Sequence, residues 1–248
     1  MFVERKYRQQ FNIQRFTSFE IKYCETDLWI GIDPASFRTE MQEMVLGRIK
    51  ELRQKMDDYI LTEPLFKKTM NPFLPCENSP IEAKEMAAAA EKAGIGPMSA
   101  VAGLFAREAG EAILRNFLVE EMVIENGGDI FVLLKKELVL SVFAGNSPLS
   151  ERIGLAIPEG LGKFGICTSA GTVGHSFSDG KADAVMVICS DVLLADAFAT
   201  AFGNKVKTPD DVEKVINMAE KIPEILSLLI ICEDKIGVRG NFELRLLK

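Results

Sequence analysis

Residues 122–143, MVIENGGDIFVLLKKELVLSVF, hold the pattern that decides the predicted fold. Short apolar runs in this stretch are interrupted at Gly127-Gly128 and again at Lys135-Lys136. Such runs are typical of strands, and the interruptions between them indicate tight turns. Strands that follow one another through tight turns pair antiparallel. The segment therefore predicts an antiparallel sheet.

Upstream of this segment, the sequence first predicts two strands and a long helix. Apolar and polar residues alternate around Ile21 and again around Ile30, which is the period of half-buried strands. Asp33-Pro34 then has the pattern of a helix start. Apolar residues recur at helical spacing from there to residue 60, which predicts a long amphipathic helix.

Two more helices are predicted before the glycine pair. Residues 62–80 contain four prolines and no periodicity, so they are expected to form a connecting loop. Ser79-Pro80-Ile81-Glu82 has the pattern of a capping box for a helix that ends near Gly94. A third helix follows Gly96-Pro97, with its apolar residues on one face.

The second half of the chain is predicted to be rich in strands. The expected elements are strands at 152–157, 163–167 and 184–189, helices at 191–203 and after Pro209, and a C-terminal hairpin turned near Gly240-Asn241. Helices grouped in the first half and strands in the second favour an α+β fold over a repeated βαβ array. We expect antiparallel sheets packed with helices in one domain spanning residues 1–248.

Composition narrows the class of partner. The chain has 36 acidic and 29 basic residues and a net charge of −7, so its field repels nucleic acid. The five cysteines are scattered without CxxC spacing, which favours neither a disulfide framework nor a zinc site and fits a reduced cytoplasm. The sequence contains neither a secretory signal nor an apolar run of membrane-spanning length. We therefore expect a cytoplasmic protein that binds a small molecule, with a symmetric homodimer as a common assembly for this class.

A polar pair on an otherwise apolar helix is the first candidate site. Between Val192 and Phe202 only Asp196 and Thr200 are polar, and a spacing of four places them on one face. A buried carboxylate needs a partner, and carboxylate and hydroxyl oxygens suit Mg²⁺. Alternatively, Thr200 bonds back to the carbonyl of residue 196 while Asp196 accepts amides from a neighbouring loop.

A hydroxyl-rich loop is the second candidate site. Residues 168–176, TSAGTVGHS, combine four hydroxyls, two glycines and the only histidine of the sequence. Converging backbone amides and hydroxyls suit a phosphate or a carbonyl oxygen. His175 is a candidate general acid or base because histidine titrates near neutrality. A solvated side chain or a hydrogen bond that orders the loop explains His175 equally well.

The glycine pair and the cysteine before the loop complete the candidates. Residues 125–129, ENGGD, join two predicted strands, and the paired glycines allow close approach by a ligand or by another backbone. A plain turn with Asx hydrogen bonds is the alternative. Cys167 is either a nucleophile or, as its position favours, the end of a buried strand.

Four segments resemble the ApbE flavin transferases. IENGGDIFV at 124–132 resembles their VNLGGDI segment, and ADAFATA at 195–201 resembles their metal-binding ADALSTA helix. CTSAG at 167–171 is similar to their ATSG loop, and GPMSAVAGLFAREAGEAI at 96–113 to a glycine-containing helix beside the flavin. The whole chain resembles still more a shorter, uncharacterised prokaryotic family related to ApbE.

This resemblance implies an ApbE-like, T-fold-related fold and a site for Mg²⁺ and a flavin, FAD or FMN. Asp196 and Thr200 correspond to the metal ligands, and His175 to a histidine that follows the ATSG loop. The residues expected to bind the cofactor are Asn126, Gly127, Gly128, Asp129, Thr168, Ser169, Gly171, Thr172 and Ser176. ApbE enzymes transfer FMN from FAD to a protein threonine, and the shorter family is linked to sulfur and homocysteine metabolism.

The chain also departs from the ApbE pattern. GPMSAVAG has no lysine, Pro97 stands where a glycine is usual, and the HIIDPRTG string is reduced to HSFSDGKADA. The expected function is therefore the binding of a phosphate-bearing small molecule, with transferase activity left open. The alternative is a non-catalytic accessory or ligand-carrier protein that keeps the fold.

Overall fold

A computed structural model describes residues 15–171 and 180–247, which form two antiparallel sheets and six α-helices in those ranges. The larger sheet has the strand order β1-β2-β3-β4-β7-β8-β9-β10. Its strands are β1 (Thr17–Tyr23), β2 (Thr26–Ile32), β3 (Met122–Asn126), β4 (Asp129–Leu133), β7 (Lys163–Ser169), β8 (Ala184–Cys189), β9 (Ile225–Cys232) and β10 (Lys235–Gly240). The smaller sheet has the order β11-β6-β5, with β5 (Leu138–Ser141), β6 (Ile153–Ile157) and β11 (Glu243–Leu246).

The helices cover one face of the larger sheet and the smaller sheet covers the other. The helices are α1 (Glu40–Thr62), α2 (Pro64–Lys68), α3 (Ile81–Ala93), α4 (Val101–Asn116), α5 (Val192–Lys205) and α6 (Asp211–Ala219), and a 3-10 helix, Pro97–Ala100, leads into α4. One apolar core joins these helices to the larger sheet, and a second lies between the two sheets. The predicted α+β class and antiparallel sheets are confirmed. The turn predicted at Gly127-Gly128 joins the paired strands β3 and β4, but the one predicted at Lys135-Lys136 is wrong, because there the chain passes from β4 in the larger sheet to β5 in the smaller.

The strand β2 is buried on both faces, whereas its alternation predicted a half-buried strand. Leu28 and Ile30 enter the core under the helices, while Trp29 enters the core between the sheets. Strands β1 and β3 flank β2 along its edges. Alternation in sequence reports one apolar face, but a large aromatic ring on the other face can bury that side as well.

Asp33-Pro34 does not start the long helix, which begins only at Glu40. The Asp33 carboxylate instead accepts the backbone amides of Ser36, Glu120 and Glu121 at 3.0–3.2 Å. Asp33 therefore ties the end of β2 to the approach to β3. The predicted helix start is wrong, because most of the amides that Asp33 accepts belong to a distant segment and not to the following helix.

The predicted connecting loop and capping box both need correction. The range 62–80 contains the short helix α2 within its first part. The helix α3 follows Pro80 without a side-chain cap, because the Ser79 hydroxyl donates to the Tyr59 hydroxyl at 3.2 Å. Glu82 pairs with Arg48 and Lys55 of α1 rather than closing a capping box. The predicted end of α3 is confirmed, since Gly94 adopts a left-handed conformation, with φ 72°.

The prediction of a C-terminal hairpin is also wrong. The strand β10 pairs with β9, whereas β11 pairs with β6 in the other sheet. Periodicity correctly predicted two strands here, but it reports which side chains are buried and not which strand is the neighbour. Across residues 15–171 and 180–247, none of the helices combines the length and the apolar character needed to cross a bilayer.

Candidate functional site

The helix α5 packs closely against β7 and so brings its polar residues to that strand. A Cβ at Gly165 would lie 2.5 Å from the Cα of Val192, so the glycine permits this approach. The Asp191 carboxylate caps the helix by accepting the Leu193 amide at 2.8 Å. From Val192 to Phe202 the helix is apolar except for Asp196 and Thr200, as predicted, and Thr200 is half-buried one turn after Asp196.

Asp196 is a buried carboxylate held at the start of α4. It is 7% exposed, and its Oδ2 accepts the backbone amide of Gly103 at 2.8 Å. Burial raises the pKa of Asp196 to about 7, although the amides of Gly103 and Ala102 act in the opposite direction. The group therefore changes its charge near neutral pH. Amide donors to Asp196 were one of the two predicted alternatives, and they come from a helix start rather than a loop.

A second carboxylate and a thiol lie beside Asp196. Asp129, 9% exposed, begins β4 and pairs in register with Cys167 of β7. Cys167 is fully buried, and its Sγ donates to the Val192 carbonyl at 3.6 Å. Burial, followed by the negative charges of Asp129 and Asp196, raises the pKa of Cys167 well above its ordinary value. The thiol is thus protonated at neutral pH, which favours the prediction of a buried strand residue over that of a nucleophile.

The turn between β3 and β4 contacts both α4 and β7. The Asn126 side chain donates to the Ala102 carbonyl at 3.0 Å, and Glu125 accepts the Gly128 amide at 2.8 Å. The Thr168 amide donates to the Gly128 carbonyl at 3.1 Å. Gly127 and Gly128 have φ of 71° and 104°, a backbone that favours glycine. The close approach predicted for these glycines is therefore made, at Gly128, by the backbone of β7.

The hydroxyl-rich loop leaves the sheet beside α5. Thr168 and Ser169 end β7 half-buried. Beyond them, a Cβ at Gly171 would overlap the carbonyl of Gly180, and one at Gly180 would overlap that of Gly203. The two ends of the loop therefore meet against the C-terminal half of α5. The predicted residues Thr172, His175 and Ser176 lie outside the described residues.

The structure thus collects several predicted residues around the first turn of α4. Those in direct contact with this turn or with the neighbouring strands are Asn126, Gly128, Asp129, Thr168 and Asp196. The peptide group of Ala102 and Gly103, which binds both Asn126 and Asp196, was not predicted. The glycine inside a helix was the available signal, because it marks a close approach.

Comparisons with known proteins agree with this architecture. A family model described as AbpE bacteria matches residues 8–224. The UPF0280 protein MJ1526 of Methanocaldococcus jannaschii is 34% identical over 222 residues, 88% of each chain. A UPF0280 protein of Methanococcus aeolicus is 35% identical over 229 residues, 90% of this chain and 89% of the relative.

Solved structures show the same fold at low sequence identity. The apo flavinyl transferase ApbE of Pseudomonas stutzeri aligns with a TM-score of 0.59 and 13% identity, over 90% of this chain and 93% of that one. The ApbE protein of Thermotoga maritima aligns with a TM-score of 0.53 and 14% identity, over 91% and 97%. At such identities the likeness is one of fold.

Proposed function

We propose, because the chain belongs to the family described as AbpE bacteria, that it binds a phosphate-bearing small molecule together with Mg²⁺. A flavin nucleotide, FAD or FMN, is the ligand we favour. The metal ligands in this proposal are Asp196 and Thr200. The ligand-binding residues in this proposal are Asp129, at the start of β4, and Thr168 and Ser169, at the neighbouring end of β7.

The observation that carries the proposal is the burial of Asp196. A carboxylate that is 7% exposed and has a pKa near 7 is costly to ionise, and the amides at the start of α4 offset only part of that cost. A second acidic group, Asp129, lies near Asp196, and the negative charges of both raise the pKa of the Cys167 thiol. A divalent cation would remove the cost of ionising a carboxylate here.

The donor atoms suit Mg²⁺ bound jointly with a phosphate. In the part of the chain that the structure describes, no three His, Cys, Asp or Glu side chains are grouped as a metal site. A zinc site would need such a group. Mg²⁺ is instead commonly held by one or two carboxylates, with water and substrate phosphates completing its shell. When bound here, Mg²⁺ would neutralise charge on a pyrophosphate.

The flavin in this proposal is suggested by a structural neighbour, the flavinyl transferase ApbE of Pseudomonas stutzeri. Transfer of FMN is a further step that we leave as a prediction, because GPMSAVAG has no lysine and the HSFSDGKADA segment does not match the HIIDPRTG string. The same departures support the second candidate, a ligand carrier without turnover. A role in sulfur or homocysteine metabolism also stays a prediction from the resemblance.

Calorimetric titration of FMN and FAD, with and without Mg²⁺, tests the proposal. Asp196→Asn keeps an oxygen that accepts the Gly103 amide but removes the charge, so we expect it to lose the Mg²⁺-dependent binding. Asp33→Asn is the matched control, since Asp33 also accepts backbone amides but lies at the other end of β3. Equal binding by wild type and Asp196→Asn, or none by wild type, would refute the proposal.

Turnover separates the two candidates. The wild-type protein would be incubated with FAD, Mg²⁺ and a threonine-containing acceptor peptide, and released AMP would be measured by chromatography. AMP release that stops in Asp196→Asn supports a transferase. Saturable binding without AMP release supports the carrier.

A further inference from the structure

We infer that Asn126 is a positioning residue that orients Asp196 through the single peptide group joining Ala102 and Gly103. The inference deepens the proposed function, because it concerns the metal ligand of that function. It rests on two hydrogen bonds at opposite edges of one peptide group, one to its carbonyl and one from its amide.

The first hydrogen bond comes from the β3–β4 turn. Asn126 is the last residue of β3 and 8% exposed, and its Nδ2 donates to the Ala102 carbonyl at 3.0 Å. The two residues are 24 positions apart in sequence. The bond therefore fixes the first turn of α4 to the edge of the turn that carries the paired glycines.

The second hydrogen bond leaves the same peptide group. The Ala102 carbonyl and the Gly103 amide belong to one planar unit, in which the C=O and N–H of a trans peptide point in opposite directions. The Gly103 amide donates to Oδ2 of Asp196 at 2.8 Å. A donor on the carbonyl side therefore sets the direction of the amide and strengthens its bond through polarisation.

The close contact of Gly103 with α5 limits how far its backbone amide can change direction. A Cβ at position 103 would lie 3.2 Å from Oδ2 of Asp196 and 3.0 Å from the Val192 carbonyl. There is thus little free space for the peptide to tilt. A tilted peptide would turn the amide away from the carboxylate, whose burial leaves few other donors.

Asn126 thereby acquires a role that differs from the predicted contact with a ligand. Its amide is used inside the protein, in the manner of an outer residue that orients a metal ligand. Loss of such outer residues weakens metal affinity by about 10–100-fold in other metal sites. We expect the loss of the Asn126 side chain to weaken metal affinity by about tenfold, the lower bound of that range.

The test compares Asn126→Ala with Asn116→Ala. Asn116 donates to the Ala112 carbonyl at 2.8 Å at the far end of α4, so it controls for loss of one asparagine bond on this helix. In metal-free protein, NMR would report the Gly103 amide and the Asp196 side-chain carboxyl. We expect both signals to shift in Asn126→Ala and to stay unchanged in Asn116→Ala, with Mn²⁺ affinity reduced about tenfold only in the former.

The outcomes separate this inference from the proposed function. An unchanged Gly103 signal in Asn126→Ala overturns the inference, whatever the metal does. Shifted signals in Asn126→Ala, together with a wild-type protein that binds no Mn²⁺, support the positioning contact and refute the metal site. If Asn126→Ala does not fold, Asn126→Leu keeps most of the side-chain volume without a donor, and an unchanged Gly103 signal there would overturn the inference.

Discussion

The backbone amide of Gly103 donates to Oδ2 of Asp196 across the contact between α4 and α5, and the approach depends on the missing side chain of Gly103. Gly103→Ala is expected to push the two helices apart, because its Cβ would lie 3.0 Å from the rigid Val192 carbonyl. Overpacking of this kind costs roughly 1–3 kcal/mol. Urea unfolding would measure the loss.

Gly47→Ala is the matched control for that variant. Gly47 lies within α1, and a Cβ there would meet no atom within 4 Å. Alanine is favoured over glycine in a helix by roughly 0.5–1 kcal/mol, so we expect Gly47→Ala to stabilise the protein. If Gly103→Ala stabilised it by the same amount, the close contact between the helices would be wrong.

The environment of Glu121 predicts that the folded protein loses stability at low pH. Burial acts to raise its pKa, but the Arg15 guanidinium and the amides of Lys135 and Lys136 outweigh it and lower the pKa below 4.5. A lowered pKa stabilises the fold above the unfolded value, and this contribution is lost as pH falls through the folded value. Glu121→Gln should therefore cost roughly 1.5–3 kcal/mol at pH 7 and less than that at pH 3.

Urea unfolding at both pH values checks this difference. Glu120→Gln is the control, because Glu120 pairs with Lys135 on the surface, with both side chains more than 60% exposed. An exposed pair contributes at most about 1 kcal/mol. An equal loss for both variants at pH 7, or a loss for Glu121→Gln that is as large at pH 3 as at pH 7, would contradict the assignment.

Much of the fold could be predicted from local pattern. The tight turn at Gly127-Gly128 and the end of α3 at Gly94 follow from short-range chemistry, and both are found. The errors at Asp33, Ser79 and the C-terminal strands share another cause. In each case, the partner is far away in sequence: Glu121, Tyr59 and β6, respectively. Periodicity and capping patterns contain no information on such partners.

The candidate site was predictable to a similar depth. Two polar residues on an apolar helix pointed to Asp196, because a buried carboxylate must find donors. The identity of those donors depended on which helix start packs against α5, and that is a tertiary property. Cys167 illustrates the same limit, since its environment of two carboxylates arises from the pairing of β4 with β7.

The cysteines predict a simple pattern of reactivity. All five lie within the described residues, with Cys24 and Cys76 exposed and the other three buried. The Ser79 hydroxyl lowers the pKa of Cys76, so that thiol should react first. A thiol titration of the native protein should count two groups, rising to five in denaturant.

The variant Cys167→Ala tests whether the buried thiol takes part in ligand binding. Because the buried thiol is protonated at neutral pH, its loss should leave FMN binding unchanged within error. The same calorimetric titration, with Cys76→Ala as the control, would show this. The prediction would be wrong if Cys167→Ala still unfolded cooperatively but lost FMN binding while Cys76→Ala kept it. Cys167 would then again be a candidate nucleophile.

Removal of Mg²⁺ should lower the thermal stability of the wild-type protein. A cation that binds only the folded state contributes about 2.7 kcal/mol at 100 times its Kd. For a domain of this size, each kcal/mol shifts Tm by about 2–4 °C, so we expect a fall of roughly 5–10 °C after chelation. Asp196→Asn should show no such response, whereas Asp33→Asn should keep it. A response that Asp196→Asn retained in full would place the cation elsewhere, because the only charge removed is that of the proposed ligand.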